Sequence, residues 1–504
     1  MIDSPSLSQT AVGTPAELAS VPWRWLLVIA AAPLVLLLAV AGRYGYHRDE
    51  LYFIAAGHHL SWGYPDQPPF TPFLARLLTD VAPGSLLWLR TPSAISAAVV
   101  VIFTALTARE LGASRAAQLL AAGSMAVAAF TLGSGHLLST STFALLTWTL
   151  LIWLVVRILR TGQDKLWLVA GVIAGWGLLD SDLMAFLMAG LVIGLAVAGP
   201  RRAFATPWLW IGGAIAAVLW SPYLVWQARH GWPQLDVSRS IAAGNSGTSE
   251  PRAAFIPFQF GLVSPWLAPI WVTGLVRLFR DRRVRWLRAI GWAYVFMVVA
   301  FIAKGGKPYY VAGMFPVLLA AGADPVLAWV RLGRGRLRRV LLVAAFVLSA
   351  PAILFAVPVV SLSALPHSGI VSANYDIGET VDWPEYVAEI AGVYQQVPQA
   401  AIITSNYGEA GAVDRYGAAY HLPNAYSGHN GFYYWGRPPD AVTTIVAVGQ
   451  DEALLRRWFG ECSLGTRLHN THDVNNDEQG VHVWVCAQPR ESWRLLWPRF
   501  RDIG

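Results

Sequence analysis

The sequence predicts an all-α polytopic membrane protein of about eleven transmembrane helices, followed by a small C-terminal α/β domain. Three observations predict it. Hydrophobic residues make up 55% of the 504 and charged residues only 13%, against roughly 25% charged in a soluble chain. The apolar residues fall in continuous runs near the length that crosses a bilayer, and basic residues gather in alternate connections between the runs. Continuous rather than alternating runs exclude a strand barrel. The net charge of +7 does not point to nucleic acid, because clusters such as Arg280, Arg282, Arg283, Arg285 and Arg288 sit between apolar runs. No nucleic-acid partner is expected; membrane lipids are.

The eleven expected spans cover 25–40, 86–108, 116–132, 137–156, 166–179, 183–198, 208–226, 255–276, 286–303, 310–330 and 340–360. Residues 1–22 read as a polar cytoplasmic tail without the plan of a cleaved signal peptide. With that end inside, the inner connections hold Arg109 and Arg115, then Arg157, Arg160 and Lys165, then Arg201 and Arg202, then the 277–288 cluster, then Arg331 to Arg339. The outer connections 133–136 and 180–182 carry no Lys or Arg. This alternation places a multi-pass domain, 23–360, in the cell membrane, with long outer loops at 41–85 and 227–254. The soluble domain, 361–504, is expected to be extracytoplasmic.

In that domain turn-rich segments separate short apolar runs, 443–448 and 481–485, which read as strands. The only cysteines, Cys462 and Cys486, both fall there, so a disulfide is expected in an oxidising compartment.

The first outer loop concentrates acids among aromatic residues and prolines. Asp49 and Glu50 follow the first span, and Asp66 precedes Pro68-Pro69. Neighbours on a helix point about 100° apart, so the two adjacent carboxylates can serve different partners, one of them taking a proton from an acceptor hydroxyl. Lys304 and Lys307 end the ninth span on the outer side, against the inside preference of basic residues, and Tyr309 and Tyr310 follow. Ammonium and phenol groups together suit a phosphate. The 227–254 loop, with Arg229, His230, Asp236 and a Gly-rich run at 244–250, reads equally as a closing loop or a connector. His58, His59, Asp180, Asp182 and His367 are possible metal ligands, although no spacing fixes a set. Asn406 to Glu409 and Ser427 to Gly431 read as loops that could meet an acceptor.

Arg48-Asp49-Glu50-Leu51-Tyr52 and Tyr64-Pro65-Asp66-Gln67-Pro68-Pro69 resemble the first outer loop of the dolichyl-phosphate-mannose protein mannosyltransferase family, whose bacterial relatives include lipid A aminoarabinose transferases. The resemblance spans about 25–360 and extends to Gly135-His136-Leu137, to Trp226 through Pro233, and to Lys304 through Tyr310. It implies a GT-C fold and a glycosyltransferase that moves a sugar from a polyprenyl-phosphate donor, with inversion, to a hydroxyl on a cell-envelope glycan, lipid or protein. It implies Asp49 as base or key acid, with Glu50 and Asp66 beside it and Lys304, Lys307, Tyr309 and Tyr310 at the donor phosphate. A divalent metal is possible; no nucleotide cofactor is expected. Ala144 and Asp180-Ser181-Asp182 depart from the family pattern. The alternatives are a transporter or lipid-sugar flippase, which would show interrupted helices around a midplane site, and a catalytically dead receptor or assembly subunit. An outer cluster of Asp49, Asp66 and Lys307 would favour the enzyme.

Overall fold

The computed structural model describes residues 18–245 and 249–504; most of the expected N-terminal tail and part of the Gly-rich run at 244–250 lie outside them. Each expected span is helical. α1 (Trp23–Val40) leads into two short loop helices, α2 (Arg48–His58) and α3 (Phe70–Val81). After α4 (Leu86–Glu110), α5 (Arg115–Ala126) and α6 (Ala129–His136) form one run bent by 54°. α7 (Thr140–Thr161) is followed by two short apolar helices, α8 (Leu166–Asp180) and α9 (Leu183–Ala198), and then by α10 (Pro207–Arg229). The second outer loop folds into α11 (Pro233–Ala243), and α12 (Phe255–Val263) and α13 (Ala268–Arg280) belong to a second run, broken by 86°. α14 (Arg288–Lys304), α15 (Phe315–Arg331) and α16 (Gly335–Ser349) complete the bundle. Among the described residues seven helices are long and apolar enough to cross a membrane, and up to nine if each bent pair counts as one span. The chain is a multi-span membrane protein.

Adjoining turns extend α14, α15 and α16 to the runs Arg282–Lys304, Pro308–Arg331 and Gly335–Ala356, of 23, 24 and 22 residues; α8 and α9 have no such extension. A helix of 15 or 16 residues such as α8 or α9 rises about 24 Å at 1.5 Å per residue, short of the roughly 30 Å hydrocarbon core. At one end of the bundle, Ala19 and Ser20 accept hydrogen bonds from Arg109 and Arg115. Glu110 pairs there with Arg157 and Arg160. The opposite end carries α2, α3 and the tail.

The tail builds a five-stranded mixed sheet in the order β2-β1-β3-β5-β4. Its strands are β1 (Ala401–Thr404), β2 (Tyr426–Ser427), β3 (Thr444–Val448), β4 (Phe459–Arg467) and β5 (His482–Pro489). The two runs read as strands are β3 and β5, which pair antiparallel. Cys462 and Cys486 face each other across β4 and β5 and are bonded. The first loop and the tail share one hydrophobic core: Leu51, Tyr52 and Phe53 of α2 are buried with Trp383, Tyr386, Ala410, Val413 and Phe432.

Candidate active site

The site is built on the first turn of α2. His47 is its N-cap: the ring Nδ1 accepts from the Asp49 amide at 3.2 Å, and the His47 amide donates to Glu50 Oε2 at 2.9 Å. This reciprocal cap satisfies amides that a helix start leaves orphaned. It also fixes which way the two adjacent acids turn.

Glu50 turns inward and is fully buried. It accepts from Arg90 Nε at 2.9 Å and Nη2 at 2.7 Å, and from the Leu138 amide at 3.0 Å. Arg90, equally buried on α4, also donates to the carbonyls of Ala41 and Gly45, each at 2.7 Å. With its oxygens taken up by a bidentate guanidinium and two amides, Glu50 has no lone pair facing a substrate. Grouped in the sequence with the catalytic acids, it is placed by the structure as the anchor of α2.

Asp49 turns the other way, and its side chain is 39% exposed. Its Oδ1 accepts from the hydroxyl of Tyr407, a tail residue, at 2.8 Å. Its Oδ2 lies 3.9 Å from His47 Nδ1. Asp66 joins the same cluster: its Oδ1 accepts from the Tyr52 hydroxyl at 2.7 Å, and the Asn430 amide approaches Oδ2 at 3.5 Å. The rings of Tyr52 and Tyr407 lie 4.8 Å apart, so two packed phenols each hold one acid. Burial pushes Asp66 up to about 7; the Tyr52 hydrogen bond opposes this and the nearby charge of Asp49 adds to it. Arg48 stands over the Tyr407 ring at 4.9 Å and is held by Tyr375 and Asp477.

Lys307 reaches this cluster through charges. His47 Nε2 lies 3.8 Å from Asp376. Burial alone would raise Asp376, but its interaction with His47 and the charges of His47, Lys307 and Arg48 hold it below the ordinary carboxylate value. The same arrangement raises His47 against its burial. Lys307, Asp376, His47 and Asp49 thus form one connected polar line. Lys307 Nζ also sits 6.0 Å from the Tyr309 ring. Tyr309 stacks on Phe130 and meets Tyr310 edge-on at 5.2 Å. Both tyrosines line a cavity of about 20 Å³ with Ala144, Trp148 and Gly313, little more than room for one water. Lys304, at the end of α14, is exposed and has no ion pair among the described residues.

The suggested metal ligands are not gathered. His58 contacts Arg76, His59 stacks on Trp435, Asp180 accepts from Thr71, Asp182 accepts from Tyr223, and His367 is exposed. Among the described residues no group of three or more His, Cys, Asp or Glu is arranged to hold a metal ion. The second loop is tied down through α11: Asp236 pairs with Arg501 at 2.9 Å, and His230 packs against Tyr434. A larger cavity of about 510 Å³ lies on the tail side, between His59, Trp435, Phe432, Tyr426 and Asp414. Its Trp435 and Phe432 rings lie 6.0 Å and 6.3 Å from that of Tyr52, which holds Asp66. Residues the sequence reading did not assign to the site are Arg90, Asp376 and, in its contact with Asp49, Tyr407. An arginine within the apolar run 86–108 was a visible signal for the first; Asp376 had none.

Residues 66–226 match the family described as dolichyl-phosphate-mannose-protein mannosyltransferase. The fold is similar to that of ArnT from Cupriavidus metallidurans. In its apo state the TM-score is 0.58 at 14% identity, and bound to undecaprenyl phosphate it is 0.56 at 15%; each alignment covers 92% of this chain and 98% of the other. The Archaeoglobus fulgidus oligosaccharyltransferase aligns at TM-score 0.47 and 14% identity over 80% of this chain and 65% of its own. No curated protein matches the sequence. Fold and family match define a membrane glycosyltransferase of GT-C architecture. The match over residues 66–226 lies in the part of the chain whose loop motifs resemble the protein mannosyltransferase family.

Two outcomes follow from the environments of the acids. Replacing Arg90 by Met strands the buried Glu50 carboxylate and should cost about 3–5 kcal/mol, seen as a large drop in melting temperature. The double change with Glu50→Gln should recover part of it. For Asp66 the folded value near 7 exceeds the ordinary 3.8, so the native state holds a proton that the unfolded chain releases. Stability contributed by that proton is full below about pH 4 and is lost as pH rises through 7. Thermal melts between pH 5 and 8 should show Asp66→Asn gaining on the parent as pH rises; parallel curves would contradict the assignment.

Proposed function

We propose that this glycosyltransferase takes its sugar from a polyprenyl-phosphate donor and transfers it, with inversion, to a hydroxyl on a cell-envelope glycan, lipid or protein. The observation that carries the reading is the partly exposed Asp49, backed by Asp66 and linked through His47 and Asp376 to Lys307. It supplies a proton acceptor and a cation within one connected set of charges. ArnT bound to undecaprenyl phosphate supports a lipid-phosphate donor for the shared fold.

In this reading Asp49 takes the proton from the acceptor hydroxyl. The acceptor oxygen bonds to the anomeric carbon from the face opposite the phosphate. The bond from that carbon to the phosphate oxygen breaks, and its electron pair leaves on the lipid phosphate. Lys307, with Tyr309 and Tyr310 near it, faces the charge that grows on that oxygen, and interactions that strengthen with developing charge lower the barrier. Asp66, near 7, is close to half protonated at neutral pH; it completes the polar wall beside Asp49. Lys304, exposed and one turn away, plays the lesser part.

The site and the tail lie on the outer face in this reading, and residues 1–22 lie inside. The clustering of Arg109, Arg115, Arg157 and Arg160 at the opposite end of the bundle from α2 supports this sidedness. A cysteine placed at exposed Ser363 should react with a membrane-impermeant maleimide in intact cells. Labelling only after lysis would invert the topology.

The decisive experiment gives purified protein a panel of undecaprenyl-phosphate sugars and follows donor consumption. Asp49→Asn, which keeps the shape and removes the proton acceptor, should lower turnover by about 10²–10⁴-fold. Lys307→Ala should lower it by roughly 10²-fold, with partial recovery in Lys307→Arg and a smaller loss in Lys304→Ala. Consumption of no donor by the parent, or parental rates in Asp49→Asn, would defeat the reading.

A further inference from the structure

The contact between Asp49 and Tyr407 joins residues 358 apart in sequence, and the chain is built to make it. The Tyr407 helix (Tyr407–Tyr416) opens on a reciprocal cap: Asn406 accepts from the Glu409 amide at 2.9 Å and its own amide donates to Glu409 at 3.1 Å. Tyr407 therefore stands in the first turn, as Asp49 does in the first turn of α2. The two helices cross at glycines. A Cβ on Gly408 would come 2.9 Å from the Arg48 Cβ, and one on Gly411 would come 2.9 Å from the Leu51 Cβ and 3.0 Å from its backbone. Any side chain at these places would hold the helices apart and lift the phenol off the acid. The ring is fixed on both sides, by Tyr52 at 4.8 Å and by His429 at 4.7 Å, with the Arg48 guanidinium over it.

We propose, resting on Asp49 as the base, that Tyr407 is a positioning residue. Its hydroxyl occupies Oδ1 and aims Oδ2 at the acceptor proton. The tail is in this sense part of the active site rather than an appended acceptor-binding domain. A phenol that donates to a carboxylate stabilises its charged form. The groups facing this pair are His47 and Arg48 on α2, Asp66 in the first loop, and Asp376 and His429 in the tail, with the Tyr52 phenol alongside.

The test is Tyr407→Phe, which keeps the ring under Arg48 and removes only the hydroxyl. With the undecaprenyl-phosphate sugar the parent consumes, turnover should fall about 10-fold with donor KM within about twofold, a loss of the size expected for one charged hydrogen bond. The acid limb of the pH–rate profile should move up by about one unit. Gly411→Ala, which opens the helix crossing without touching the phenol, should move the limb in the same direction. A lower rate with an unmoved acid limb means a structural role only and overturns the proposal, as does a parental profile. Asp49→Asn separates the two readings: if it is inactive while Tyr407→Phe is parental, only the positioning role falls. A second readout needs no turnover. With 3-fluorotyrosine at position 407, the fluorine resonance should titrate with Asp49 in the parent and lose that titration in Asp49→Asn. A resonance indifferent to Asp49 overturns the contact itself.

Discussion

The buried pair of Glu50 and Arg90 is the constraint on which the rest of the site depends. Two opposite charges taken out of water are costly unless every lone pair and proton finds a partner. Here the guanidinium meets both carboxylate oxygens and two loop carbonyls, and the carboxylate receives two further amides. The interaction therefore does more than hold two residues. It ties the end of α1, the start of α2, α4 and the turn before α7 to one point. With Glu50 fixed inward, the geometry of a helix start leaves Asp49 facing out, toward Tyr407 and His47. The position of the proposed base follows from the burial of its neighbour.

Asp49 and Asp66 differ in a way their sequence neighbourhoods do not show. Each accepts one phenol hydrogen bond of similar length. Asp49 keeps an exposed edge, whereas Asp66 is enclosed and its charged form is penalised by lost hydration. Asp66, Tyr52 and Asn430 form a polar wall beside the residue that the proposed reaction needs.

Much of the fold was legible because membrane spans are written in composition: runs of apolar residues and alternating basic connections need no knowledge of tertiary contacts. The 443–448 and 481–485 runs became β3 and β5 for a similar local reason. The site was legible only where the motif carried it. Asp49 and Glu50 are adjacent acids, and only Arg90, 40 residues on, decides that one is an anchor. Lys304 and Lys307 look equivalent across Gly305-Gly306, yet the backbone turn there leaves the first exposed and sets the second near Asp376. Asp376 lies in a stretch with no distinguishing pattern, and its role exists only because the tail folds back onto the loop. In the second outer loop the sequence left two readings open; residues 233–243 form a helix, α11, with Asp236 paired to Arg501.

The shared core of α2 and the tail has a consequence for the order in which the molecule is made. Asp49 leaves the ribosome more than 300 residues before Asp376, Tyr407 and His429. Throughout synthesis the apolar face of α2 waits without the surface that covers it, and the acid beside it waits without its phenol. A nascent chain holding every helix of the membrane bundle still lacks half of the polar shell around Asp49. That shell closes only once the segment carrying Tyr407 and His429 has been made and has folded back onto α2.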